Sequence, residues 1–305
     1  MKPFIYLTLI LISIPFFIVI IFFNQNTKEE TKEKEITVRV KREALNRIDN
    51  IELEEYVIGV LAGEMPIFFH KEAFKAQAVA ARSYVLKRMD YNKDKEYDVV
   101  DTVSNQVYLD NDYLKTRWND KYEENINKLI EVVKETKHQY ISYNDKIADA
   151  LFFSTSNGFT ENSEEIFSFE TPYLKKVESL WDEDTSPVFN DKKIFDEQTF
   201  LNLLEIPFNN NFNYEILNKS SGGRILSLKI NNYEIKGSDF VKKLKIRSSD
   251  FTIEKQGNNI IINTKGYGHG VGMSQYGALG MANQGYLYDE ILKYYYQGIE
   301  IKSLK

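Results

Sequence analysis

Cysteine is absent from the sequence. Disulfides, thiol nucleophiles and cysteine-based zinc or iron–sulfur sites are therefore excluded. Histidine is scarce: His70, His138 and His269 lie far apart, and no HExxH pattern occurs. No metal site and no cofactor is expected on these grounds. A basic block is also missing. The 39 Lys and Arg residues are spread along the chain against 45 Asp and Glu, for a net charge of −6. A phosphate backbone repels such a chain, so nucleic acid is not an expected partner. Internal repeats and a βαβ rhythm are lacking too, which argues against a parallel α/β architecture. What the chain has is apolar and aromatic content, 43% and 14% of 305 residues. That suffices for one large domain or two modest ones.

Phe4 to Phe23 form a run of mostly apolar residues. At about 1.5 Å per residue, roughly twenty residues span the hydrocarbon core of a bilayer. The run exceeds a usual signal-peptide core, and no small-residue cleavage site follows. An uncleaved transmembrane anchor over residues 1–23 is the expectation. Residues 24–35 then read as a solvated, Lys/Glu-rich linker. A long domain translocates largely regardless of flanking charge, which favours a single-pass protein with its bulk outside the cytoplasm.

Beyond the linker the pattern predicts an α+β domain over residues 36–305, mixing helices with antiparallel strands. Ile36–Val40 alternates like a strand. Leu53, Tyr56, Val57, Val60 and Leu61 recur at helical spacing, and Pro66 ends that helix. A second helix is expected over about 70–88, where Ala76–Ala81 has high helix propensity. Further helices are expected over 123–137 and 289–297, and a strand over Ile147–Phe153. Residues 187–250 read as a possible inserted subdomain. They hold a short helix near 195–204, strands near 212–217 and 225–230, and a Ser-Gly-Gly turn at 221–223. Two more strands flank Gly257.

Three segments carry chemistry-bearing residues. In the first, Glu64 ends an apolar helix and is followed by Met65, Pro66, Ile67, Phe68 and Phe69. Apolar surroundings raise a carboxyl pKa, so such a group can hold a proton near neutral pH and act as a general acid. An exposed loop glutamate would fit the same spacing. Lys75 and Arg82, seven apart on the second helix, share a stripe. They can bind substrate carboxylates or simply form a solvated basic face. In the second segment, FSTSNGFTENSEE at 153–165 is dense in hydroxyls, amides and carboxylates, a composition that suits sugar hydroxyls and also an ordinary capped turn. In the third, GYGHGVGMSQYGALG at 266–280 holds six of the fifteen glycines. Met273 breaks the G-x-G-x-x-G fingerprint, and neither a phosphate loop nor a G-x-S-x-G elbow is present. His269, set between glycines, can donate to a ligand or orient Glu64.

The words EYVIGVLAGEMP, EAFKAQAVAARSY, STSNGFTENSEEIF and GYGHGVGMSQYGALGMANQGYLYDEILKYYYQG occur in that order. Together they resemble the SpoIID/LytB family, the family of stage II sporulation protein D. The resemblance spans about residues 36–302. It implies a lytic transglycosylase that cleaves the β-1,4 bond between N-acetylmuramic acid and N-acetylglucosamine, leaving a 1,6-anhydro end. It also implies a preference for peptidoglycan strands already stripped of stem peptides by a partner cell-wall amidase. The wider implied setting is sporulation engulfment, with a membrane partner in that machinery. Glu64 matches the family's catalytic residue, with supporting roles for Lys75 and Arg82. Ser154, Ser156 and Thr160, then His269, Ser274 and Gln275, match other walls of the cleft, and Tyr173 matches a family tyrosine. Some members carry a His and two Cys as zinc ligands before the Q-x-Y word; here that stretch reads DVVDTVSNQVY, so no zinc is expected. Other members resemble non-catalytic enhancers of a wall amidase, and a glycan-binding module is a further alternative.

Overall fold

A computed structural model describes residues 35–208 and 212–304. The expected anchor and nearly all of the linker lie outside them. Among the described residues no helix is long and apolar enough to cross a membrane. The body from Val38 onward is a mixed α+β unit.

Two strands, β1 (Thr37–Arg42) and β2 (Arg47–Glu52), lead into helix α1 (Leu53–Glu64). The Glu52 side chain accepts from the Glu55 amide at 2.9 Å, satisfying one of the orphan donors at the helix start. Pro66 stops α1: Met65 before it is extended, at φ −124° and ψ 138°. The next helix, α2 (Lys71–Tyr91), is capped by His70, whose Nδ1 accepts from the Glu72 amide. Ala73, Ala76, Ala78, Ala80 and Ala81 on α2 are buried. Their small side chains let α1 and later helices approach closely on several sides. Enlarging one, as in Ala80→Leu, would overpack the interior at a cost of about 1–3 kcal/mol.

A short strand, β3 (Val99–Val100), pairs parallel with β1. Helices α3 (Asn111–Trp118) and α4 (Tyr122–Glu135) follow. Ile126, Leu129, Val132 and Val133 bury one stripe of α4, each contributing about 1.5–3 kcal/mol by leaving water. The strand expected over Ile147–Phe153 is in fact divided. β4 (Gln139–Tyr143) pairs with β5 (Lys146–Ile147), whereas β6 (Phe152–Phe153) pairs in parallel with a strand more than a hundred residues later. The two halves serve different sheets, so the chain breaks between them.

After the short helices α5 (Ser163–Phe167) and α6 (Trp181–Thr185) a lobe with its own core begins. It comprises β7 (Asn190–Asp196), α7 (Glu197–Leu204), β8 (Tyr214–Lys219), β9 (Ile225–Ile230), β10 (Tyr233–Lys236), α8 (Gly237–Leu244), β11 (Asp250–Gln256) and β12 (Asn259–Lys265). Its antiparallel sheets run in the orders β10-β9-β8 and β11-β12-β7. Phe200, Phe240, Phe251 and Ile262 are among the side chains that fill its core, and the Phe240 and Phe251 rings stack at 4.5 Å. Because β11 and β12 pair with β7, the lobe extends to Lys265. The chain then re-enters the main body through β13 (Met273–Ser274), α9 (Gln275–Asn283), α10 (Tyr288–Tyr295) and β14 (Glu300–Ser303).

Candidate functional site

Glu64 is the last residue of α1, and its side chain is only partly exposed. Its Oε1 accepts a 2.6 Å hydrogen bond from the Val107 amide. Gly63 makes this approach possible: any Cβ there would overlap the Val107 carbonyl. Burial pushes the Glu64 carboxyl above its ordinary range; the Val107 amide and the Gln275 side chain oppose this by favouring the ionised form. Gln275 is 4% exposed, and its Nε2 has no hydrogen-bond partner among the described residues. The amide thus acts on Glu64 without a formed hydrogen bond. Below the carboxyl, the Pro66–Phe69 turn is fixed by Lys128, whose ammonium donates to the Ile67 and Phe69 carbonyls at 2.8 Å each. The Phe69 ring meets Tyr276 edge-on at 4.9 Å, so the segment around Glu64 packs directly on the start of α9.

Ser274 and Gln275 open α9, and the structure explains their placement. The Ser274 hydroxyl caps the helix, accepting from the Gly277 amide at 3.3 Å, and donates to Asp182. Asp182, fully buried, also accepts from the Ser156 amide at 2.8 Å and the Ser179 hydroxyl at 2.6 Å. Burial raises its carboxyl, and these donors counter the shift. Asp182 therefore ties the hydroxyl loop to the N-terminus of α9, beside Glu64. The sequence reading missed it inside the acidic run WDED.

The other sequence-predicted site residues divide into two groups. Ser154 stays partly open, and its carbonyl accepts from Tyr276 N at 3.1 Å, which sets it next to Gln275. The remaining hydroxyls turn inward. Ser156 donates to the Ser179 carbonyl. Thr160 donates to Lys175 O and accepts from Val177 N. The Tyr173 hydroxyl accepts from Asp149 N at 2.7 Å, and burial pushes it to about 12. Arg82 is fully buried, donating to Glu54 at 3.0 and 2.5 Å and to the Gln139 carbonyl at 2.9 Å. Lys75 is paired with Glu72 at 2.7 Å and Glu135 at 2.8 Å. The shared stripe of these two cations faces carboxylates of the protein itself, which is why neither is offered to a ligand.

His269 is held among the Phe153 and Phe167 rings, at 5.7 and 5.5 Å. Its Nδ1 accepts from Val271 N at 3.1 Å. Burial and the charge of Arg224 push it down to about 4. It is a neutral imidazole that stiffens the glycine-rich loop. Beneath that loop lies a pair invisible to motif reading, Arg224 and Glu161, 1% and 0% exposed and 3.5 Å apart. Arg224 also donates to Ser248 Oγ and Gly268 O at 2.9 Å each. A side chain at Gly270 would overlap Arg224, and one at Gly222 would overlap Glu161. Two of the glycines are therefore explained by the pair. The Gly-Gly-Arg order at 222–224 was the available signal.

Among the described residues no group of His, Cys, Asp or Glu is arranged to hold a metal ion. Two hollows, of about 320 Å³ beside α1, α3 and α4 and about 380 Å³ on the lobe, are not lined by Glu64.

An α+β body that braces one protected carboxyl against a glycine-rich loop defines a class. A family profile described as stage II sporulation protein matches residues 41–143. The chain is 41% identical over 280 residues to stage II sporulation protein D of Bacillus subtilis, covering 90% of this chain and 81% of the relative. It is 41% identical over 277 residues to the Bacillus amyloliquefaciens protein of the same name, covering 89% and 80%. A 28% identical relative from Bacillus subtilis is named amidase enhancer, with 80% of this chain and 40% of the relative covered. The chain belongs to the stage II sporulation protein D family.

Proposed function

We propose that the protein is a lytic transglycosylase acting on peptide-stripped peptidoglycan, with Glu64 as its only acid–base group. The observation that carries this is the Glu64 carboxyl, raised by burial yet held in place by the Val107 amide. The protonated carboxyl delivers its proton to the glycosidic oxygen as the bond from C1 of N-acetylmuramic acid breaks. The resulting carboxylate takes the proton of the same sugar's 6-hydroxyl, whose oxygen bonds to C1. The products are a 1,6-anhydro end and a free 4-hydroxyl on N-acetylglucosamine, and Glu64 regains its proton. Ordinary glycosidases need a second carboxylate to activate water or attack C1; an internal nucleophile removes that need. In this reading residues 4–23 anchor the chain, the body lies outside the membrane, and a wall amidase supplies the stripped substrate.

Mass spectrometry of stripped glycan treated with the protein tests this. Anhydro ends are expected, and Glu64→Gln should produce none. Reducing ends, or anhydro ends from Glu64→Gln, would refute it. The relative named amidase enhancer supports a second reading, a non-catalytic activator of an amidase. In that case Glu64→Gln would retain the stimulation of amidase activity.

A further inference from the structure

The lobe has a sheet face that neither its core nor the catalytic proposal uses. In β11-β12-β7, Phe251, Ile253, Ile260 and Ile262 belong to the lobe core, so the alternate residues point to the other side. Register places Asp250, Lys265 and Asn190 side by side in one row, and Thr252, Asn263 and Lys192 in the next. Five of these six are exposed, and Asp250 is partly so. With strands about 4.8 Å apart and rows about 7 Å apart, the grid covers roughly 7 by 10 Å. It floors the hollow of about 380 Å³.

We infer that this face is a second binding site for the glycan strand, in which Lys192 and Lys265 receive the lactyl carboxylates of muramic acid. This rests on the reading of the substrate given above. Three observations favour that occupant. The grid offers amide, hydroxyl and carboxylate groups, a mixture that matches sugar hydroxyls. Neither Lys192 nor Lys265 has a carboxylate within 4 Å among the described residues, whereas Lys75, Lys175 and Lys255 are all paired. Peptide-stripped strands expose one carboxylate per disaccharide, so two free ammonium groups complement them. The face is also continuous with the walls around the candidate site. Asn157 of the hydroxyl loop donates to Asp250 at 2.8 Å, and Tyr267, two residues beyond Lys265, exchanges backbone hydrogen bonds with Thr155. The exposed Tyr267 ring, with the Arg247 guanidinium 5.6 Å from its centre, belongs to the glycine-rich segment and follows the grid's Lys265 by two residues.

The test measures binding of stripped glycan strands to the full chain carrying Glu64→Gln, so that nothing is cleaved. Adding Lys192→Glu and Lys265→Glu should weaken binding at least tenfold and flatten its salt dependence. For uncharged N-acetylglucosamine oligomers, which lack the lactyl group, the same pair of changes should leave affinity within twofold. Unchanged affinity for stripped strands overturns this inference and leaves the role of Glu64 intact. Equal loss on both polymers overturns the carboxylate assignment. Failure of the Glu64→Gln chain to bind any glycan removes the substrate reading and this site together.

Discussion

Breaking the Arg224–Glu161 pair should destabilise the protein far more than its 3.5 Å separation suggests. Both side chains are out of water, so neutralising one strands the other charge in the interior. Removing one member of such a pair costs about 3–5 kcal/mol. Glu161→Gln leaves Arg224 with only Ser248 Oγ and the Gly268 carbonyl as neutral partners. Arg224→Met leaves the Glu161 carboxylate facing the Gly222 amide. Each single change should lower the unfolding free energy by about 3–5 kcal/mol in urea titrations, or roughly 6–20 °C in midpoint. The double variant should cost less than the sum by about 2 kcal/mol or more, because it strands neither charge. Histidine NMR adds an independent reading. Arg224→Met should raise His269 partway from about 4 toward its ordinary value, since burial still lowers it but the nearby cation no longer does. The pH dependence of stability follows. His269 is depressed when folded, so the unfolded chain takes up its proton first, and stability is lost as pH falls from about 6.5 toward 4. Arg224→Met should narrow that window. Single variants costing under about 1 kcal/mol, additive within about 0.5 kcal/mol, would refute the reasoning.

Anhydro-end production should fall as pH rises through the Glu64 pKa, and Gln275→Ala should move that alkaline limb upward, because Gln275 favours the ionised form; a pH–rate profile checks both. Gly63→Ala should lower turnover at least tenfold, since its methyl would push Val107 away from the carboxyl; kinetics alongside a thermal melt separate this from unfolding. Arg82→Met should cost about 3–5 kcal/mol by stranding Glu54 without changing affinity for stripped strands per folded molecule, which combined unfolding and binding measurements would show.

Local pattern carried much of the fold. The spacing of Leu53, Tyr56, Val57 and Val60 marked α1, Pro66 marked its end, and local pattern marked four of the six lobe strands within about two residues, while β7 and β10 were not foreseen. The divided strand between Lys146 and Phe153 escaped notice because its halves answer to partners far apart in sequence. At the candidate site, the raised carboxyl of Glu64 was legible from its apolar neighbours. The fate of Arg82 was not, because spacing reveals a shared stripe but not whether Glu54 faces it. Asp182 and Glu161 each sit among other acids, and only the folded chain shows which carboxyl is buried. His269 drew attention through its glycine flanks, yet Gly270 makes room for Arg224 and Gly268 for Phe153.

The Ser220–Arg224 turn gives the lobe a role that its separate core conceals. An appendage with its own hydrophobic centre usually looks like something a protein engineer could trim. Here the trimmed protein would lose the one guanidinium that answers Glu161 and anchors Gly268. It would also lose the Gly222 carbonyl that receives Asn157. A shortened chain that merely rejoins residues 189 and 266 would carry an unanswered acid under its own glycine-rich loop, so shortening this protein requires changing Glu161 in the same step.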